Sequence, residues 1–224
     1  MKIALLQMEV LEKNKEANVA HGLQLVRQAA GSHDLLVMPE IWTTGYSLGR
    51  LSKEAETVDS EVLAEICKIA AEEKCSIIAG SVPMSRAGKV FNTSVAINKE
   101  GQIVNMYDKV HLFGLFKEEE FFAPGNNFQA FDLDGICCGS TICYDLRFPV
   151  WARNRGDYDM ILYVASWPQS RAKAWSALLV ARAIENQCYV AGVNRVGSDP
   201  KCEYSGDSVV VNPYGEIVAS CEPY

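Results

Sequence analysis

The sequence predicts an α/β protein in which two mixed β-sheets face each other between outer helices. Three observations point there. Short apolar runs alternate with segments of helical period along the chain. Hairpin signals interrupt that alternation, which makes the sheets mixed rather than purely parallel. The strand runs are also apolar at nearly every position, so both faces need cover. A three-layer arrangement meets the first two observations equally and stays open on pattern alone. With 224 residues, 49% of them hydrophobic, the chain can bury a sizeable core and is expected to form a single domain, 1–224.

The elements follow in order. KIALLQM, 2–8, reads as a buried strand. Residues 14–31 read as a helix, with Val19, Leu23 and Val26 on one stripe and Gly31 as its stop. DLLVMPE, 34–40, is a strand ending at Pro39 and Glu40. Residues 60–75 read as a helix capped by Ser60, with Val62, Leu63, Ile66 and Ile69 inward. SIIAGSVP, 76–83, is the next strand. VFNTSVAIN, 90–98, and QIVNMYDK, 102–109, form a hairpin about Lys99-Glu100-Gly101. FQAFDLDGICCGSTIC, 128–143, supplies two strands around the Asp134-Gly135 turn. RFPVWARNRG, 147–156, reads as a helix, DMILYVAS, 159–166, as a strand, and residues 171–188 as a long helix. YVAGVNRVG, 189–197, is a strand, and 207–220 a hairpin across Asn212-Pro213-Tyr214-Gly215.

Charge and composition narrow the function. The formal net charge is −7, spread along the chain, with Glu118-Glu119-Glu120 the one notable cluster. No basic stripe of the kind nucleic acid requires is present, and no basic amphipathic segment. No window approaches the ~18 apolar residues of a membrane span, and the first apolar run is too short for a signal peptide. A cytoplasmic protein is expected. Its eight cysteines form no C-x-x-C pair and have no histidine at zinc-ligand spacing. They read as reduced thiols, mostly small buried hydrophobes. No metal or cofactor is expected.

Three residues with complementary chemistry close apolar strands: Glu40 ends DLLVMPE, Lys109 ends VNMYDK and Cys143 ends GSTIC. Strand ends are where a rigid core presents side chains to a cleft. A thiol becomes a good nucleophile on losing its proton, which a nearby carboxylate can accept. A lysine can then stabilise the oxyanion formed at an attacked carbonyl, with the amide N–H of Tyr144 as a second donor. Taken singly, each residue reads more readily as a solvated boundary or, for Cys143, as one more buried thiol. Spacing alone does not bring the three together.

LLVMPEIWTTGY, YDKVHLF, CYDLRFPVWARN, ARAIENQCYVAGVNRVG and GDSVVVNPYGEIV resemble the successive signatures of the nitrilase superfamily of carbon–nitrogen hydrolases, in family order and over nearly the whole chain. Within it the sequence is most similar to bacterial omega-amidases, which act on 2-oxoglutaramate. The resemblance implies a four-layer α-β-β-α sandwich. It implies Glu40 as general base, Lys109 as catalytic lysine and Cys143 as nucleophile. The family's accessory glutamate falls five residues past Phe113, on Glu118, with Glu119 and Glu120 as neighbours that stay open. For the carboxylate end of such a substrate, Arg147 is the candidate, or else it forms a structural ion pair with Asp145 or a neighbouring helix. Tyr46 can offer its hydroxyl, and Trp167 either walls the pocket or belongs to the core. Arg182 and Glu185 are expected to pair on the long helix as a structural feature. The resemblance further implies a homodimer, with Trp175, Leu178 and Leu179 needing cover. Family chains usually continue for a further strand and tail, which this sequence is expected to lack. Rival readings are an amidase for deaminated glutathione, a nitrilase acting on a cyano group, and a non-catalytic scaffold that keeps the fold.

Overall fold

The computed structural model describes residues 1–222. Strand β1 (Ile3–Leu5), helix α1 (Lys15–Ala30) and strand β2 (Leu35–Val37) come first. A 3-10 turn at Leu48–Arg50 runs into the short α2 (Leu51–Glu54), followed by α3 (Glu61–Glu73). Then come β3 (Ser76–Arg86), β4 (Lys89–Ile97) and β5 (Ile103–Asp108). The second half holds β6 (Phe131–Leu133), β7 (Ile136–Ile142), β8 (Met160–Ala165), α4 (Ala172–Asn186) and β9 (Tyr189–Asn194). A small ribbon, β10 (Val196–Ser198) and β11 (Glu203–Ser205), precedes β12 (Val209–Val211) and β13 (Ile217–Ser220).

Two mixed sheets result. The first has the order β1-β2-β3-β4-β5, with β1, β2 and β3 parallel and β4 and β5 antiparallel. The second runs β13-β12-β9-β8-β7-β6, with parallel β7, β8 and β9 flanked by antiparallel neighbours. Alternation along β2 shows why its run is wholly apolar. Leu35 and Val37 join Ile142 and Leu162 in the core between the sheets, whereas Leu36 joins Val26, Leu63 and Ile66 beneath α1 and α3. On the other side, Trp175 and Leu179 of α4 are fully buried and close over Gly192 of β9, where a Cβ would collide with them. The chain thus covers both residues by itself. The layers are helix, sheet, sheet, helix, as the resemblance implies.

The Ser60 cap agrees with the sequence reading, and Asn14 caps α1 in the same way. Asn14 accepts from Ala17 N–H at 3.2 Å, and Ser60 from Leu63 N–H at 3.5 Å. One expected element does not form: 147–156 is not an α-helix. The chain makes a 3-10 turn over Cys143–Arg147 and then leaves it. Pro149 disfavours the helical region for Phe148, which sits at φ −116 and ψ 81. Asn154 then accepts from Gly156 N–H at 3.0 Å and Asp157 N–H at 2.9 Å, a side-chain turn that competes with helix. The expected strand 189–197 divides at Arg195, and the β10–β11 ribbon has no counterpart in the sequence reading. No helix among the described residues is long and apolar enough to cross a membrane.

Candidate active site

Glu40, Lys109 and Cys143 follow the carboxyl ends of β2, β5 and β7, and the facing sheets bring them together. The first two are fully buried and Cys143 nearly so.

Glu40 is set by a bulge in β3. The β3–β4 register shifts between Ile78 and Ser81, with Gly80 at φ +59 between them. A Cβ at 80 would collide with the Pro39 carbonyl oxygen, so only glycine permits the approach. Ser81 then holds both sides of Glu40. Its N–H donates to Pro39 O at 3.2 Å, and its Oγ accepts from Ile41 N–H at 3.0 Å. The Glu40 carboxylate is partnered on both oxygens. Oε1 accepts from Lys109 Nζ and Asn92 Nδ2, each at 2.9 Å, and Oε2 from Ser166 N–H at 2.8 Å.

Lys109 also donates to Glu118 Oε1 at 2.9 Å. Glu118 further accepts from the Tyr46 hydroxyl at 2.9 Å and from Phe113 N–H at 2.8 Å. Glu119 and Glu120 are exposed, and Glu120 pairs with Lys117, so of the acidic run only Glu118 enters the cluster. Burial alone would lower the Lys109 ammonium, but Glu118 and Glu40 outweigh it and hold the group above the ordinary lysine range. Burial pushes Glu118 up, and Lys109 draws it back.

Cys143 opens the 3-10 turn at φ +46, a left-handed conformation that is uncommon and strained for a residue with a side chain. The thiol lies beside the Glu40–Lys109–Glu118 cluster. Burial first and the neighbouring Glu40 carboxylate second push the thiol well above its usual value, so it rests protonated at neutral pH. The other seven cysteines are likewise free.

A small pocket opens over the thiol, lined by Tyr46, Phe113, Cys143, Tyr144, Arg147, Ser166, Trp167, Pro168 and Arg171. Tyr46 is buried with its O–H given to Glu118, so it braces that carboxylate as well as bounding the cavity. Trp167 is both wall and core: it is 3% exposed, and its Nε1 donates to Arg171 O at 2.9 Å. Arg147 lies over the Trp167 ring, 4.9 Å from its centroid, and not on Asp145. Arg171, which the sequence reading did not single out, lies 5.5 Å from the Phe113 centroid. Arg182 does pair with Glu185, at 2.7 Å, and its Nε and Nη2 also donate to Leu146 O in the cysteine turn at 3.1 and 2.6 Å.

Asn92 and Ser166 also escaped the sequence reading. For Asn92 a signal existed, since an amide inside the apolar run of β4 requires a buried partner. Ser166 acts through its backbone N–H, which no side-chain pattern reveals. A carboxylate, an ammonium and a thiol packed this way, beside a small cavity, can carry out nucleophilic acyl transfer.

The sequence pattern of the carbon–nitrogen hydrolase family matches residues 2–224. By this measure the chain belongs to the carbon–nitrogen hydrolase family, a family of enzymes. Among its relatives, omega-amidase YafV of Escherichia coli K12 is 40% identical over all of this chain and 86% of its own. The 2-oxoglutaramate amidase of Bacillus subtilis is 36% identical over 97% of this chain and 85% of its own. The crystal structure of XC1258 from Xanthomonas campestris, a CN-hydrolase superfamily protein with an arsenic adduct in its active site, superposes with a TM-score of 0.93. It is 37% identical and covers 99% of this chain and 86% of its own.

Proposed function

We propose that the chain is a cysteine-dependent amidase that releases ammonia from the terminal amide of a small 2-oxo dicarboxylic acid monoamide, 2-oxoglutaramate or a close relative. The observation that carries the reading is the buried Glu40–Lys109–Glu118 cluster beside a thiol held in a strained turn. Glu40 Oε1 is occupied by two donors and Oε2 by one, so Oε2 keeps a lone pair for the Cys143 proton. As that proton moves, the sulfur attacks the amide carbon, and Lys109 with the Tyr144 N–H stabilises the oxyanion. The C–N bond breaks as Glu40 returns the proton to nitrogen, giving ammonia and a thioester. Water, deprotonated by Glu40, then attacks the thioester; the acid leaves and Cys143 regains its proton. Glu118, braced by Tyr46 and Phe113 N–H, keeps the Lys109 ammonium charged and aimed.

The cavity supports the substrate class. Its walls carry two guanidinium groups, Arg147 and Arg171, each lying on an aromatic ring. Such a site suits a compact molecule with an anionic end. A homodimer belongs to the same reading: Val150, Ile184 and Tyr214 leave 84%, 52% and 85% of their surface exposed, and sedimentation of the purified chain tests it. A cytoplasmic site of action also belongs to it, tested by cell fractionation. The function itself is tested by ammonia release from 2-oxoglutaramate, with Cys143→Ala beside the unaltered chain. Turnover that disappears in the variant supports the reading; equal turnover in both ends it. Faster hydrolysis of deaminated glutathione would move the substrate to that longer amide.

A further inference from the structure

Asp145 lies two residues past Cys143 and is 3% exposed. Its Oδ2 accepts from Ile142 N–H at 3.1 Å and from the Tyr107 hydroxyl at 2.8 Å. Its Oδ1 accepts from His111 N–H at 2.9 Å and meets His111 Nδ1 at 2.7 Å. An ionised carboxylate only accepts, so Nδ1 carries the proton. The network continues outward: Trp151 Nε1 donates to the Tyr107 oxygen at 3.0 Å, and the His111 ring stacks on Phe148 with centroids 3.7 Å apart.

The placement of these partners is what matters. Tyr107 and His111 stand two residues before and two after Lys109, and Ile142 immediately precedes Cys143. One carboxylate therefore fastens both flanks of Lys109, on the first sheet, to the peptide entering the Cys143 turn, on the second. The turn is strained at φ +46 and needs its surroundings to hold it.

We propose that Asp145 is a positioning residue that sets the separation of the Lys109 ammonium and the Cys143 thiol, with Tyr107 and His111 as its arms. It acts through Ile142 and through the flanks of Lys109 rather than on substrate. The inference rests on the amidase reading of Cys143 and Lys109.

Two substitutions at His111 separate positioning from packing. His111→Phe keeps a ring to stack on Phe148 and removes the Nδ1–H donor. His111→Asn keeps a donor at the same number of bonds from the backbone and removes the ring. In ammonia release from 2-oxoglutaramate by the full chain, His111→Phe lowers kcat by about 10-fold or more with KM within about threefold, and His111→Asn retains most of kcat. Asp145→Asn, which turns an amide donor toward donors already in place, lowers kcat by about 100-fold. It also slows iodoacetamide alkylation of Cys143. The opposite order at His111, or a loss confined to KM, overturns the proposal. Should Asp145→Asn not fold, the His111 pair decides alone. If the unaltered chain releases no ammonia, the substrate reading fails, and the order of the same variants in Cys143 alkylation decides the inference.

Discussion

Replacing Arg171 by Met separates substrate recognition from chemistry. The thioether side chain keeps much of the apolar stem that lies along Phe113 and removes the guanidinium. The backbone carbonyl that accepts from Trp167 Nε1 is untouched. A hydrogen bond between a guanidinium and a carboxylate contributes about 1.5–3 kcal/mol, or roughly 10-fold to 150-fold in kcat/KM. Arg147 is exposed, whereas Arg171 is partly buried, so Arg171→Met falls nearer the upper figure and Arg147→Met nearer the lower. The assay compares 2-oxoglutaramate with butyramide, a neutral amide of similar length. Arg171→Met lowers kcat/KM for the oxo acid and leaves butyramide within about threefold of its starting value. The double variant loses less than the product of the two single losses, because both groups serve one carboxylate. Equal losses on the two amides would refute the anion-site argument, since they would show that Arg171 supports the Cys143 turn or the cavity wall instead.

Three further outcomes follow from the packing. Gly80→Ala forces a Cβ onto the Pro39 carbonyl at a backbone of φ +59, so thermal unfolding shifts down by several degrees and turnover falls with it; an unchanged midpoint contradicts the bulge argument. Burial raises the Cys138 and Cys188 thiols to about 12 each. The folded chain therefore keeps protons that the unfolded chain gives up above about pH 8.5. Their contribution to stability is whole below that value, declines as pH rises, and is gone beyond about 12; urea midpoints at pH 8, 9 and 10 show the decline, shallower in Cys188→Ala. Lys109→Met leaves two buried carboxylates without their cation and destabilises by about 3–5 kcal/mol. Adding Glu118→Gln recovers part of that stability in urea titration while turnover stays absent, and failure to recover any would mean that the ion pairs are not what holds the cluster.

Legibility in the sequence followed the physics of each element. Glu40, Lys109 and Cys143 could be singled out because each interrupts an apolar run at its end, a pattern of residue type that survives without coordinates. By residue type alone Glu118 was one of three adjacent glutamates, and only the resemblance placed the accessory role on it. Its distinction is a 3-10 turn that points one carboxylate inward at Lys109 and two at water. The helix expected at 147–156 failed because Pro149 and Asn154 outweighed the apolar spacing of Val150, Trp151 and Ala152. Gly80 went unremarked inside the expected strand 76–83, and the bulge shows which carbonyl it admits. Asp145 was visible only as a prospective partner for Arg147. Besides Ile142 close by, its partners His111 and Tyr107 stand 34 and 38 residues away in sequence, at a distance only the facing sheets close.

The cluster also explains how a protein interior accommodates so much charge. Glu40, Lys109 and Glu118 are fully buried, a placement that costs several kcal/mol per ion unless the charges are paired and hydrogen-bonded. Glu40 and Glu118 each have three donors, Asp145 has four, and Lys109 spans both glutamates. Donors that satisfy a carboxylate at every oxygen also fix its orientation, so the network is rigid before any ligand arrives. Rigidity of this kind is what electrostatic stabilisation of an oxyanion requires, because dipoles already in place need no rearrangement during reaction. The hydrogen bonds that make the buried charges tolerable are therefore the same ones that would make them effective.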